Sequence, residues 1–260
     1  MKTLKTIIMA IIVIGVFSFQ AIAQELTGRE IIEKVYNRPS GDDMTSNLTM
    51  TLINKSGSER VRKIKQFTKD LGEVEKSIMF FQSPADVKNT SFMNWTYDDD
   101  TKSDDQWIYL PALKKIKRIS SDSKSDYFMG SDFTYDDLGD RKLDADTHTR
   151  LADETIDGVD YYVVESISKD EDYMYSKTKT WVRKDYFIGL KKEFYDEDGE
   201  LFKILHVKKF EKMNGIIVIT NSEMENISSK HRTSMVLDHV MINTGIPSSK
   251  FSERMMMRGI

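Results

Sequence analysis

The side chains of this chain that could make or break bonds are few and scattered. Asp98, Asp99, Asp100, Asp104 and Asp105 form the densest acidic cluster. A calcium loop alternates oxygen ligands and turns on a glycine. Here Lys102 occupies the third ligand position and no glycine follows, so a solvated loop is expected rather than a metal site. The four histidines, His148, His206, His231 and His239, fall in no H-E-x-x-H or H-x-H arrangement. His231 and His239 sit on one strand-like segment, about 26 Å apart at strand rise, too far to share a metal. His206 alternates with Phe202 and Ile204 and reads as a partly buried structural residue. Ser131-Asp132 and Tyr135-Asp136-Asp137 carry nucleophile and carboxylate types, but no histidine stands near them in sequence. No G-x-S-x-G, Walker loop or dinucleotide fingerprint occurs. The expectation is a protein that is not an enzyme and that uses no cofactor and no metal.

A different chemistry is concentrated between Trp107 and Leu138. Trp107, Tyr109, Leu113, Ile116 and Ile119 offer apolar surface, and Lys114, Lys115, Lys117 and Arg118 place four positive charges within five residues. Strand alternation sends Lys115 and Lys117 to the face opposite Ile116 and Arg118. This is either a strand with one solvated, charged face or a basic rim that meets anionic headgroups or an acidic partner, an attraction that salt would screen. Tyr127, Phe128, Met129, Phe133 and Tyr135 then cluster without regular period around Gly130, which allows a tight turn. Such a segment must bury its aromatics against a larger surface. Folded over a curved sheet it would act as a lid, with Asp132, Asp136 and Asp137 available to pair with the basic strand.

The elements that would carry these groups are mostly strands. Residues 1–24 have a basic start at Lys2 and Lys5, an apolar run over 7–19 and an A-x-A at Ala21-Ile22-Ala23, the layout of a secretory signal peptide cut near Ala23. Thr27 with Glu30 forms a capping box before Ile31, Ile32, Val35 and Tyr36, which recur at helical spacing. Pro39 ends that helix near Arg38. From residue 45 the period becomes two, and strand candidates follow at 60–69, 75–82, 91–97, 106–110, 114–120, 147–156, 159–168, 178–183, 189–195, 201–210, 216–226 and 232–242. Gly-containing turns join many of them, the pattern of an antiparallel meander. Both faces of 159–168 carry apolar residues, so that strand is expected to be covered on both sides. Phe251 would anchor a short terminal segment. There is no repeat and no βαβ alternation. The fold class is mainly β (α+β): a large antiparallel sheet that curls, holding the helix and an irregular insertion at 121–146 on its concave face. A closed, lipocalin-like barrel is the alternative.

Composition narrows the function. Beyond the first 23 residues the chain keeps 36 basic against 42 acidic side chains, a net −6, which disfavours nucleic-acid binding. The absence of cysteine removes thiol chemistry and disulfides, so an exported chain of this length must rely on burial and hydrogen bonding. Fifteen methionines are many; several stand in strand-like segments, either as core filling or as an adaptable apolar surface.

The stretch WIYLPALKKIKRISSDSKSDYFMGSDFTYDDL, from Trp107 to Leu138, resembles the LolA-like outer membrane lipoprotein-sorting proteins, and the order of strands around it is similar over most of the chain. The resemblance implies an open half-barrel whose mouth is plugged by helices, over a single domain from residue 24 to 260. It implies a periplasmic, non-enzymatic carrier of lipoprotein or lipid acyl chains, monomeric, working between an inner-membrane transporter and an outer-membrane acceptor. On this reading Trp107, Tyr109, Leu113, Ile116, Phe128, Met129, Phe133 and Tyr135 line the cavity or lid, and Lys114, Lys115, Lys117 and Arg118 contact headgroups or partners. No motif places the family's lid-locking arginine in this chain. The alternative function is an envelope scaffold, or an accessory of a lipid-exporting transporter, that binds protein instead.

Overall fold

The computed structural model describes residues 25–260, so the signal-peptide reading lies outside the described residues. Helix α1, Gly28–Tyr36, starts at the expected capping box: Thr27 Oγ1 accepts from the Glu30 N–H (3.2 Å) and Glu30 returns a carboxylate to the Thr27 N–H (2.8 Å). Fourteen strands follow: β1 Asp43–Ile53, β2 Glu59–Asp70, β3 Val74–Ser83, β4 Ser91–Tyr97, β5 Asp105–Leu110, β6 Lys115–Arg118, β7 Asp146–Arg150, β8 Glu154–Ile156, β9 Val159–Ser168, β10 Lys177–Arg183, β11 Ile188–Tyr195, β12 Leu201–Met213, β13 Ile216–Asn226 and β14 His231–Ile242. Helix α2, Glu253–Arg258, ends the chain. The segment expected as one strand at 147–156 is two, β7 and β8, both paired to β9.

All pairings are antiparallel, in the order β6-β5-β4-β3-β2-β1-β14-β13-β12-β11-β10-β9-β7. β6 and β7 do not pair, so the sheet is an open half-barrel and not a closed barrel. The N-terminal strand β1 pairs β14 through register pairs such as Met50↔Met235, which joins the first meander to the second.

Period-two alternation sorts the core onto two faces. On the inner face Leu48, Met50, Leu52, Ile64, Phe81, Phe92 and Ile108 form one cluster with Phe128, and Phe194 and Met224 form another with Phe133 and Tyr175. α1 packs on the same face further along, with Ile31 against Val164 and Val182. Gly28 is required there, since a Cβ would lie 2.7 Å from the Arg150 nitrogen of β7. On the outer face Phe67, Ile78, Phe80 and Met93 are covered by Ile246, Phe251 and Met256 of the C-terminal segment. Both Val163 and Val164 of β9 are fully buried, one on each face, as the two-sided apolar pattern requires. Among the described residues no helix is long and apolar enough to cross a membrane.

Candidate functional site

The insertion between β6 and β7 runs across the inner face through four single 3-10 turns, Ser121–Ser123, Phe128–Gly130, Asp136–Leu138 and Leu143–Ala145. Its centre is Phe128, fully buried, with ring centroids 5.0 Å from Phe92, 5.6 Å from Tyr135 and 6.0 Å from Phe81. The chain reverses there through positive φ at Met129 (51°) and Gly130 (74°), where glycine is the undemanding residue.

Polar ties hold this strap to both halves of the sheet. On the β2–β5 half, Arg62 donates to the Met129 carbonyl, and Gln106 Nε2 donates to the Tyr135 carbonyl (2.8 Å). On the β12–β14 half, the Asp132 carboxylate accepts from the Thr233 hydroxyl and meets His231 Nδ1, each at 2.7 Å. Tyr173 donates to Asp136 (2.5 Å), and Tyr175 to Asp137 (3.1 Å). Lys203 is wholly buried, 3.0 Å from the Tyr175 hydroxyl and 3.6 Å from Asp137. Burial pushes the Lys203 ammonium down, against the pull of Asp137 and Asp132. Burial and the neighbouring aspartates push the Tyr173 and Tyr175 hydroxyls up, so both remain donors.

Thus the strap's acids do not pair with the basic strand, as the sequence pattern led one to expect, but with groups on the far half of the sheet. The basic residues lie elsewhere. Lys115, Lys117 and Arg118 are exposed on β6, the sheet's edge, and Arg118 pairs with Asp105. Lys114 is in the β5–β6 turn, next to Leu113, which is 62% exposed. The structure also divides the apolar candidates. Phe128, Met129, Phe133 and Tyr135 meet on the inner face. Trp107, Tyr109 and Ile116 pack on the outer face, beside the cluster that the C-terminal segment covers. The alternation of β5 gives the reason: Ile108 takes the inward position, so its neighbours point out.

Beneath the strap and α1 lie two adjoining cavities. One, of about 260 Å³, is lined by Ile32 and Val35 of α1, Leu190, Leu205, Val207 and Ile219 of the sheet, and Asp140 to Leu143 of the strap. The other, of about 250 Å³, lies toward Phe133, Tyr175, Phe194 and Met224. Both are bordered by Asp140, Arg141, Asp146, Thr178, Lys192 and Leu205. They are small beside the range of small-molecule pockets, and mixed apolar walls with a few polar groups are what such pockets present. Charge near them is mostly compensated. Arg141 pairs with Asp146 (2.6 Å), and His148 is held by Ser166 and the Leu143 carbonyl. Burial, then Asp104, push the Asp140 carboxyl up.

A family model of uncharacterized proteins matches residues 73–258. A domain from Vibrio parahaemolyticus assigned to outer membrane lipoprotein sorting is 32% identical, with 89% of this chain and 98% of that one covered and a TM-score of 0.83. The chain belongs to the LolA-like lipoprotein-sorting family. A DUF1329 family protein from Desulfovibrio piger is 28% identical, with 88% and 97% covered and a TM-score of 0.83. The LolA superfamily protein NE2245 from Nitrosomonas europaea shares the fold, at 21% identity, 89% and 100% coverage and a TM-score of 0.68. No curated protein matches the chain.

Within this LolA-like fold, several residues escape a reading of sequence alone. Arg62 and Gln106 look like ordinary polar positions of half-exposed strands, yet both are buried under the strap. Their one signal is register: Arg62 lies two residues before Ile64, and Gln106 two before Ile108, on the inward set of each strand. Lys192 and Lys203 share the inward set with Phe194 and Leu205, which the crowded charges of 191–193 and 208–209 conceal.

Proposed function

We propose that the protein is a carrier, working in the periplasm, that shelters an acyl chain of a lipid or lipoprotein beneath the strap and releases it to an acceptor. The observation that carries this reading is the roofed inner face: an open sheet, an aromatic strap tied to both halves, and cavities of partly apolar wall left under it. Membership of the lipoprotein-sorting family supports it. The mechanism is shielding. Each CH₂ removed from water is worth about 0.8 kcal/mol, and transfer needs only an acceptor with somewhat greater affinity. No bond is made or broken. The strap's ties are hydrogen bonds and ion pairs, which exchange for water when it lifts.

Native mass spectrometry with lipid extraction, on protein purified from its own envelope, tests the reading. A bound acyl species is expected, reduced by Phe133→Asp or Leu190→Asp, which place a charge on the cavity wall. A lipid-free protein that instead copurifies with a protein on the strap face would overturn it in favour of a scaffold.

A further inference from the structure

The cavity under α1 contains a charge imbalance. Lys192 stands on the inner face of β11, where the two cavities meet, and no carboxylate lies within ion-pair distance of it among the described residues. Its ammonium has an aromatic neighbour, the Phe194 ring, at 5.0 Å. Arg38, on the same cavity, donates Nε to the Val35 carbonyl, while its Nη1 is buried without any partner. The other cations of the wall are accounted for: Arg141 by Asp146, Lys142 by Asp104 and the Tyr97 carbonyl, and Lys191 by Glu193. Of the two acids that line this cavity, Asp146 is paired with Arg141 and Asp140 is left facing it, its carboxyl pushed up by burial and then by Asp104; Arg38 also borders the acidic hollow of Asp98 and Glu75.

Lys203, across the neighbouring strand, is the internal control. It faces the same side and is wholly buried where Lys192 is half-buried, and it has Asp137 of the strap and the Tyr175 hydroxyl beside it. A buried cation without a counter-charge is costly. The fold meets that cost at Lys203 with a carboxylate at ion-pair distance, whereas Lys192, half-buried in open space beside apolar walls, feels Asp137, Asp146 and Asp136 only from further off. Burial accordingly pushes the Lys192 and Arg38 groups down.

We propose that the cargo is an anionic amphiphile whose carboxylate or phosphate ion-pairs with Lys192, with Arg38 as the second cation, and whose acyl chain lies along Leu190, Leu205, Val207 and Ile219. The inference rests on the carrier reading. It specifies the headgroup end of the ligand, which shielding of an acyl chain does not require.

Competition binding on the purified protein separates the two. The probes are palmitate, hexadecanol as its uncharged counterpart, and inorganic phosphate or acetate without a chain. The wild type is expected to prefer palmitate over hexadecanol by at least about tenfold, the weight of a charge-assisted contact. Lys192→Met should erase that preference while leaving hexadecanol affinity close to wild type and Tm no lower than wild type. Arg38→Met should reduce it in part. If palmitate and hexadecanol bind alike and Lys192→Met changes neither, the anion site is wrong and the carrier reading stands. If the wild type binds no chain-bearing probe, the carrier reading itself fails. If phosphate or acetate competes as well as palmitate, the site is one for free anions and the amphiphile is wrong.

Discussion

Glu75, on the inward set of β3, borders an inner-face hollow with Arg38, Asp98 and Asp140. Burial, then Asp140, Asp70 and Asp98, push its carboxyl up to about 7. The folded protein therefore holds this proton more tightly than the unfolded chain, and the associated stability is complete below the ordinary value of 4.5 and is lost as pH rises through about 7. Glu75→Gln should raise Tm at pH 8 by roughly 2–4 °C, the effect of ~1 kcal/mol at this size, and should do nothing at pH 5. Equal gains at both pH values would refute the assignment. Asp43 is the opposite case. Burial alone would raise its carboxyl, but the N–H groups of Thr244, Gly245 and Ile246 and the Thr244 hydroxyl, at 2.8–3.0 Å, hold it below the usual range. Its contribution is present above the ordinary 3.8 and is lost as pH falls from there through the folded value. Asp43→Ala leaves those donors unpaired and should cost about 3 kcal/mol in denaturant unfolding.

At the scale of elements, the strap and the C-terminal segment do the same work on opposite faces, each covering apolar strands that the other leaves bare. The strap differs in how it is held. Its apolar contacts centre on Phe128 over one half of the sheet and on Phe133 over the other, and its remaining ties are polar and reversible. Phe128→Ala should therefore cost about 3–5 kcal/mol in global unfolding. Asp132→Ala, which frees His231 and Thr233, should instead raise hydrogen exchange over residues 126–139 while the sheet stays protected. If exchange rose equally in β1 and β14, the strap would be an integral part of the core rather than a cover. α1 is a smaller element with a sharp start, and Thr27→Ala should cost about 1 kcal/mol.

For the whole molecule the open sheet has a consequence. A half-barrel keeps two edges, and an exposed edge is a template for pairing with another chain. β6 is only four residues long and presents Lys115, Lys117 and Arg118 to solvent. Edge protection is therefore a structural duty of these charges, independent of any partner they contact. Replacing Lys115 and Lys117 together by valine should give concentration-dependent association in sedimentation velocity. A variant whose association state matches that of the wild type at all concentrations would show that β6 is guarded by something other than charge.

Much of this architecture was legible along the chain because strands and caps are local. Thr27 and Glu30 mark the start of α1 three residues apart, and Leu48, Met50 and Leu52 announce one buried face of β1 by alternation alone. The aromatic cluster around Phe128 declared that it needed cover, since so many rings without period can only be buried against something else. What alternation could not decide was which face looks inward: Trp107 and Ile108 are adjacent, and only the pairing of β5 with β4 sends one outward and the other under the strap. Nor could it pair charges distant in sequence. Asp137 finds Lys203 and Asp132 finds His231 because the strap crosses the β1–β14 junction, while Lys192, two residues from Phe194 on the same face, has no ion-pair partner among the described residues. Local periodicity sets which residues must be buried; the closure of distant strands sets against whom, and so decides where the cavity and its uncompensated charge lie.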